Sequence, residues 1–193
     1  FAGWVGPMED LAAPTVTLAP PLPADISAVF VPANESRARS FLMGFTPWPY
    51  DGNFDAVRDT YKTVQHYGDI IAFHLDQGLP WEEALAGGPY PARVEEDLQQ
   101  MASLVEPGMR VYVGLSPAAT MRDALAPYWN DSGDNLPLMA PWNMRTWDDD
   151  EVIDAYVNFC LHLITVLQPD FFNYGIEATA IAENAPAVWP AAQ

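Results

Sequence analysis

The sequence predicts an α/β fold, a partial TIM-type (β/α) barrel of about four β/α units preceded by a Pro/Ala-rich N-terminal segment. Three observations carry that expectation. Four short apolar runs alternate with longer segments whose apolar residues recur at helical spacing. The runs are continuously apolar, which suits strands covered on both faces, and helical crossovers are the standard link between parallel neighbours. The first strand-to-helix turn, Thr46-Pro47-Trp48-Pro49-Tyr50, lacks the glycine-rich phosphate fingerprint of a doubly wound sheet, so the barrel is preferred while that alternative stays open.

Residues 1–38 contain Pro14, Pro20, Pro21, Pro23 and Pro32, each of which interrupts a helix, so a leader or linker is expected there, with a short added strand within 26–31. The half barrel is expected over 39–193. Residues 41–45 read as its first strand, and Asn53 opens a helix with Phe54, Val57, Tyr61 and Val64 on one face, ended by Gly68. Residues 69–74 are a second strand. Val94, Leu98, Met101 and Val105 mark the next helix, stopped by Pro107-Gly108. A third strand over 110–115 leads into a long loop over 116–147.

Asp148, Asp149, Asp150 and Glu151 then place negative charge at the positive end of a helix dipole, and Val152, Tyr156, Cys160, Leu163 and Leu167 form that helix's apolar stripe. Residues 171–176 read as the fourth strand and 184–193 as the start of a fourth helix. A complete barrel takes about 250 residues, and open sheet edges are normally paired or covered. A C-terminal half or a homodimer is therefore the expected structural partner.

Half of the 193 residues are hydrophobic, enough for a sizeable core. Twenty-six acidic residues against 8 basic ones give a net charge of −18, and Lys62 is the only lysine. That balance repels phosphate backbones and anionic bilayers, so neither is an expected partner. No apolar run reaches the roughly 18 residues of a membrane span. The single cysteine, Cys160, excludes an intrachain disulfide and falls in a helical apolar pattern that predicts burial. Phe1 opens the chain without a basic-then-apolar leader, and a removed signal peptide would place the protein outside the cytoplasm: secreted, periplasmic or lipid-anchored.

Chemistry in such a barrel gathers at the carboxyl ends of the strands. The strands deliver Trp48, His74, Asp76, Trp81, Asn173 and Glu177 there, and the long loop adds Trp129, Trp142 and Trp147. Flat apolar faces beside amides and carboxylates suit sugar rings, which present CH faces and hydroxyls. The structural alternative is that these rings pack the loops onto the barrel, since aromatic side chains bury large areas. His74 and Asp76 stand two apart and point the same way in a strand, too few ligands for a metal, and no cofactor is expected.

The run Asp170-Phe171-Phe172-Asn173-Tyr174-Gly175-Ile176-Glu177 resembles the fourth-strand end of clan A glycoside hydrolase barrels, similar to the endo-galactanase group and its uncharacterised relatives. The resemblance covers about residues 40–193 through strand order and this position. It implies that Glu177 is the acid/base group, shielded by aromatic rings that favour its neutral carboxyl. It also implies that the nucleophile sits on a seventh strand, and that β-linked polysaccharide or oligosaccharide is the substrate class. The family pattern has asparagine before the glutamate; Ile176 stands there, and Asn173 lies elsewhere in the strand.

Two functions of different class follow as expectations. One is a glycoside-hydrolase-like protein with Glu177 as proton donor and Trp48, His74, Asp76, Trp81, Trp129, Trp142 and Asn173 as sugar contacts, active once the remaining strands or a partner complete the site. The other is a carbohydrate-binding or self-assembling half-barrel module that cuts no bond.

Overall fold

The computed structural model describes residues 40–184 together with the backbone of two short N-terminal strands. Most of the 1–38 segment, and the residues 185–193 read as a helix, lie outside the described residues. The chain divides into two compact units, residues 1–41 and 42–193. In the first, β1 (Gly3–Val5) pairs antiparallel with β2 (Ser27–Val29), which falls inside the stretch read as an added strand.

The second unit runs in chain order through β3 (Gly44–Phe45), α1 (Phe54–Tyr67), β4 (Ile70–Leu75), α2 (Trp81–Ala86) and α3 (Ala92–Ser103). It continues through β5 (Arg110–Leu115), β6 (Tyr128–Asn130), β7 (Gly133–Leu136), α4 (Asp150–Leu167), β8 (Phe171–Asn173) and α5 (Ala178–Asn184). The sheet is four-stranded and parallel throughout, in the sequential order β3-β4-β5-β8. That order has no reversal, the feature that marks a doubly wound sheet's binding crevice.

Local chemistry explains the helix limits. Asn53 caps α1, its side chain accepting from the Ala56 amide at 2.9 Å, and the Gly68 N–H closes the last turn on the Val64 carbonyl at 2.8 Å. Asp149 caps α4 by accepting from the Glu151 amide, with Asp150 and Glu151 in the first turn.

Alternation in the strands sets the core. Ile71, Phe73 and Leu75 of β4 and Val111, Val113 and Leu115 of β5 are buried against Val94 and Leu98 of α3 and Val152, Phe159 and Leu163 of α4. Each such burial contributes about 1.5–3 kcal/mol. Cys160 joins this core as expected. On the opposite sheet face Ala72, Tyr112 and Asn173 are half-buried, and His74 and Phe171 are exposed.

Several limits differ from the pattern-based reading. The fourth strand stops at Asn173 because its own side chain turns the chain, accepting from the Gly175 amide at 3.1 Å, and α5 begins at Ala178, earlier than the helix expected from 184. The segment 116–147 is not a plain loop: β6 and β7 form an antiparallel pair within it, and a single 3-10 turn spans Trp142–Met144. The six-residue α2 carries too few turns to show a helical period. Among the described residues no helix is long and apolar enough to cross a membrane.

Candidate functional site

Parallel register places one row of residues across the carboxyl end of the sheet: His74 of β4 pairs with Gly114 of β5, which pairs with Asn173 of β8. One step back lie Ala72, Tyr112 and Phe171. Asn173 donates from Nδ2 to the Tyr112 hydroxyl at 2.9 Å, so its amide serves the sheet and the turn that follows. Ile176 packs over Gly114 in this row, so a larger residue there would require the Ile176 side chain to shift. An added Cβ would stand 2.9 Å from Ile176 Cδ1.

Beside His74 a groove of about 510 Å³ opens between the ends of β3 and β4 and the helices α1 and α3. Val57, Tyr61, Phe73 and Met101 contribute its apolar lining, while Trp48 and Asp76 line it toward the strand ends. Trp48 is 71 % exposed, so its ring is open to a ligand. Arg93 and Asp97 of α3 and Asp134 of β7 bring charge to the same groove. Burial pushes the Tyr61 phenol up to about 12. Burial also holds the Asp97 carboxyl above its usual range, with Arg93 opposing and the nearby Asp134 and Glu96 adding to the effect.

A second, much narrower cleft shares His74 and Asp76 with the groove and is lined on its far side by Ser116 and Arg122. Arg122 is buried, and its Nε and Nη2 reach Glu177 Oε2 at 3.0 and 2.9 Å. Its Nη1 donates to the carbonyls of Ala118 and Ala119 at 3.4 and 2.8 Å. Glu177 directly precedes α5, its carbonyl accepting from the Ala180 and Ile181 amides, and its φ of 56° is left-handed. Its side chain is 59 % exposed. In place of the aromatic shield expected around this carboxylate, the Arg122 guanidinium holds one side of it and solvent reaches the other.

The tryptophans divide. Trp81, Trp129 and Trp142 are core residues at 0, 1 and 3 % exposure, so their reading as sugar contacts is corrected. Trp81 stacks on Trp142 with ring centroids 5.3 Å apart and donates to the Ala126 carbonyl at 2.8 Å. Trp129 meets Phe159 edge to face. The large apolar area of these rings is spent fastening the β6–β7 segment and the turn after it onto α2 and α4.

The structure thus brings Trp48, His74 and Asp76 to one groove and sets Glu177 beyond the cleft they share with Arg122. Asn173 shares a sheet row with His74. Arg93, Asp97, Arg122 and Asp134 were missed by sequence reading. Charged residues in loops and on helix faces carry no period, although Arg122 is one of only 8 basic residues in the chain, so each had few rivals for pairing with a carboxylate. Among the described residues no cluster of three or more histidine, cysteine or carboxylate side chains could hold a metal. Comparison with known family models, curated proteins and solved structures gives no match.

Proposed function

We propose that residues 42–184 form part of a TIM-type (β/α) barrel that is glycoside-hydrolase-like, acting on β-linked polysaccharide or oligosaccharide. The observation that carries this reading is the arrangement at one end of a sequentially ordered parallel sheet. Trp48, His74 and Asp76 line an open groove, and Glu177 follows the fourth strand with its carboxylate fixed by Arg122. Trp48 stacks on a sugar ring, and His74 and Asp76 bond its hydroxyls. Glu177 donates a proton to the glycosidic oxygen.

Retaining hydrolysis needs a second carboxylate about 5–5.5 Å from the first. In the resemblance that group belongs to a seventh strand, so further strands or a second copy supply it.

One observation favours a second reading, a glycan-binding module without turnover. Glu177 Oε2 already accepts from two guanidinium nitrogens, which leaves only Oε1 to carry and deliver a proton.

Hydrolysis of a panel of β-linked oligosaccharides and galactans by the chain and by Glu177→Gln, with calorimetric binding and oligomeric mass on the same samples, separates the two. Turnover abolished in Glu177→Gln supports the hydrolase. Binding without turnover supports the module, and full turnover by Glu177→Gln removes Glu177 from the chemistry.

A further inference from the structure

The groove beside Trp48 has a chemical bias of its own. Its lining is apolar where Val57, Phe73 and Met101 meet, and it carries polar side chains that the protein leaves uncommitted. Among the described residues, the side chains of His74, Asp76, Gln100 and Asp134 line the groove and have no protein hydrogen-bond partner. An open pocket with an apolar floor and a few unspent polar groups is the usual form of a small-molecule site.

Charge in this groove is one-sided. Asp76, Asp97 and Asp134 face a single cationic side chain, Arg93, whose Nε stands 3.9 Å from Asp97 Oδ2, too long for a hydrogen bond. The half-buried Asp97 is partly stripped of water and feels Asp134 as a neighbouring like charge. Among the described residues these carboxylates do not gather into a group of three or more metal-ligating side chains. Trp48 presents an aromatic face at the same groove, the surface that attracts an ammonium group.

We propose that the groove selects saccharides bearing free, protonated amino groups, with the ammonium between Asp97 and Asp134 and the ring against Trp48. This rests on the reading of the groove as a sugar site and narrows its substrate class. Uronate and sulfated sugars are repelled by the same carboxylates, and N-acetylation removes the charge that the groove is built to meet.

Calorimetric titration of the full chain with a β-1,4-linked glucosamine tetramer, its fully N-acetylated counterpart, a galacturonate tetramer and a linear polyamine tests this. The free-amine tetramer is expected to bind at least tenfold more tightly than the acetylated one, with a preference that shrinks as salt rises from 50 to 500 mM (order-of-magnitude expectations from screening of exposed charges). Asp97→Asn and Asp134→Asn are each expected to reduce that preference several-fold, weakening the free-amine tetramer more than the acetylated one. Trp48→Ala is expected to weaken both tetramers.

Equal binding of the two tetramers at the groove would overturn the amino-group selection and leave the sugar reading standing. Polyamine binding as tight as the glucosamine tetramer's would show a cation site in which the sugar ring plays no part. Tight binding of galacturonate, or failure of every saccharide to bind at millimolar concentration, would overturn the proposal, and the second result would remove the sugar reading of the groove as well.

Discussion

Arg122 and Glu177 stand 55 positions apart and meet through two guanidinium bonds to one carboxylate oxygen, and both hold left-handed backbone, at φ 58° and 56°. Strained backbone persists where the surroundings over-determine it, and here each residue fixes the other. Arg122→Gln is expected to lower stability by about 1–2 kcal/mol, because a buried charge-assisted contact is lost while the exposed side of Glu177 stays solvated. Urea denaturation reads this directly. An unchanged midpoint would show that the pair contributes nothing to the fold.

Gly78 shows how closely the loop after β4 approaches the segment before β6. Its φ is 107°, and an added Cβ would stand 2.4 Å from the Pro127 carbonyl oxygen. The same carbonyl accepts from the Leu79 amide at 2.9 Å, so neither chain can retreat without losing a bond. Gly78→Ala is expected to cost about 3 kcal/mol or more and to lower Tm by roughly 10 °C. A thermal scan showing a loss of only a degree or two would mean that this junction yields.

The parallel sheet was legible because its strands and helices differ in period. Continuous apolar runs at β4 and β5 and capped amphipathic helices at α1 and α4 each leave a local mark in the sequence. The groove was legible only in part. Trp48, His74 and Asp76 were expected near one another because strand ends are where side chains converge, and they line one groove, whereas Trp81 and Trp142 look like Trp48 in sequence and differ only in what packs on them. Arg122 was invisible for the opposite reason, since its partner lies across the fold and its loop has no period.

Those two kinds of tryptophan predict opposite responses. Trp81→Ala empties the space between Trp142 and α2 and is expected to cost about 3–5 kcal/mol. Trp48→Ala is expected to change stability by less than about 0.5 kcal/mol, as for an exposed surface position, while weakening saccharide binding. Denaturation and calorimetry on the same two variants check this. A destabilised Trp48→Ala would identify that ring as packing and not as a ligand surface.

Alkaline pH offers a test of the core itself. Burial pushes the Tyr61 phenol up from 10.0 to about 12 and the Cys160 thiol up from 9.0 to about 12, the latter opposed by a bond with Tyr156. Tyr156 is raised as well, by burial first and then by Cys160. These groups ionise more readily when unfolded, so above their unfolded values the unfolded chain binds fewer protons than the folded one, and stability falls as pH rises. The contribution is fully present below about pH 9 and is lost between about pH 9 and 12, with Tyr61 alone accounting for some 2–3 kcal/mol by the end of that window. Urea midpoints at pH 8, 9.5 and 11 are expected to decline in step. Iodoacetamide is expected to leave Cys160 unmodified in the folded chain at pH 9 and to modify it rapidly in urea, because a buried thiol is neither ionised nor accessible. Midpoints that stay level to pH 11, or fast alkylation of the folded chain, would mean that Tyr61 and Cys160 are not enclosed between the sheet and its helices.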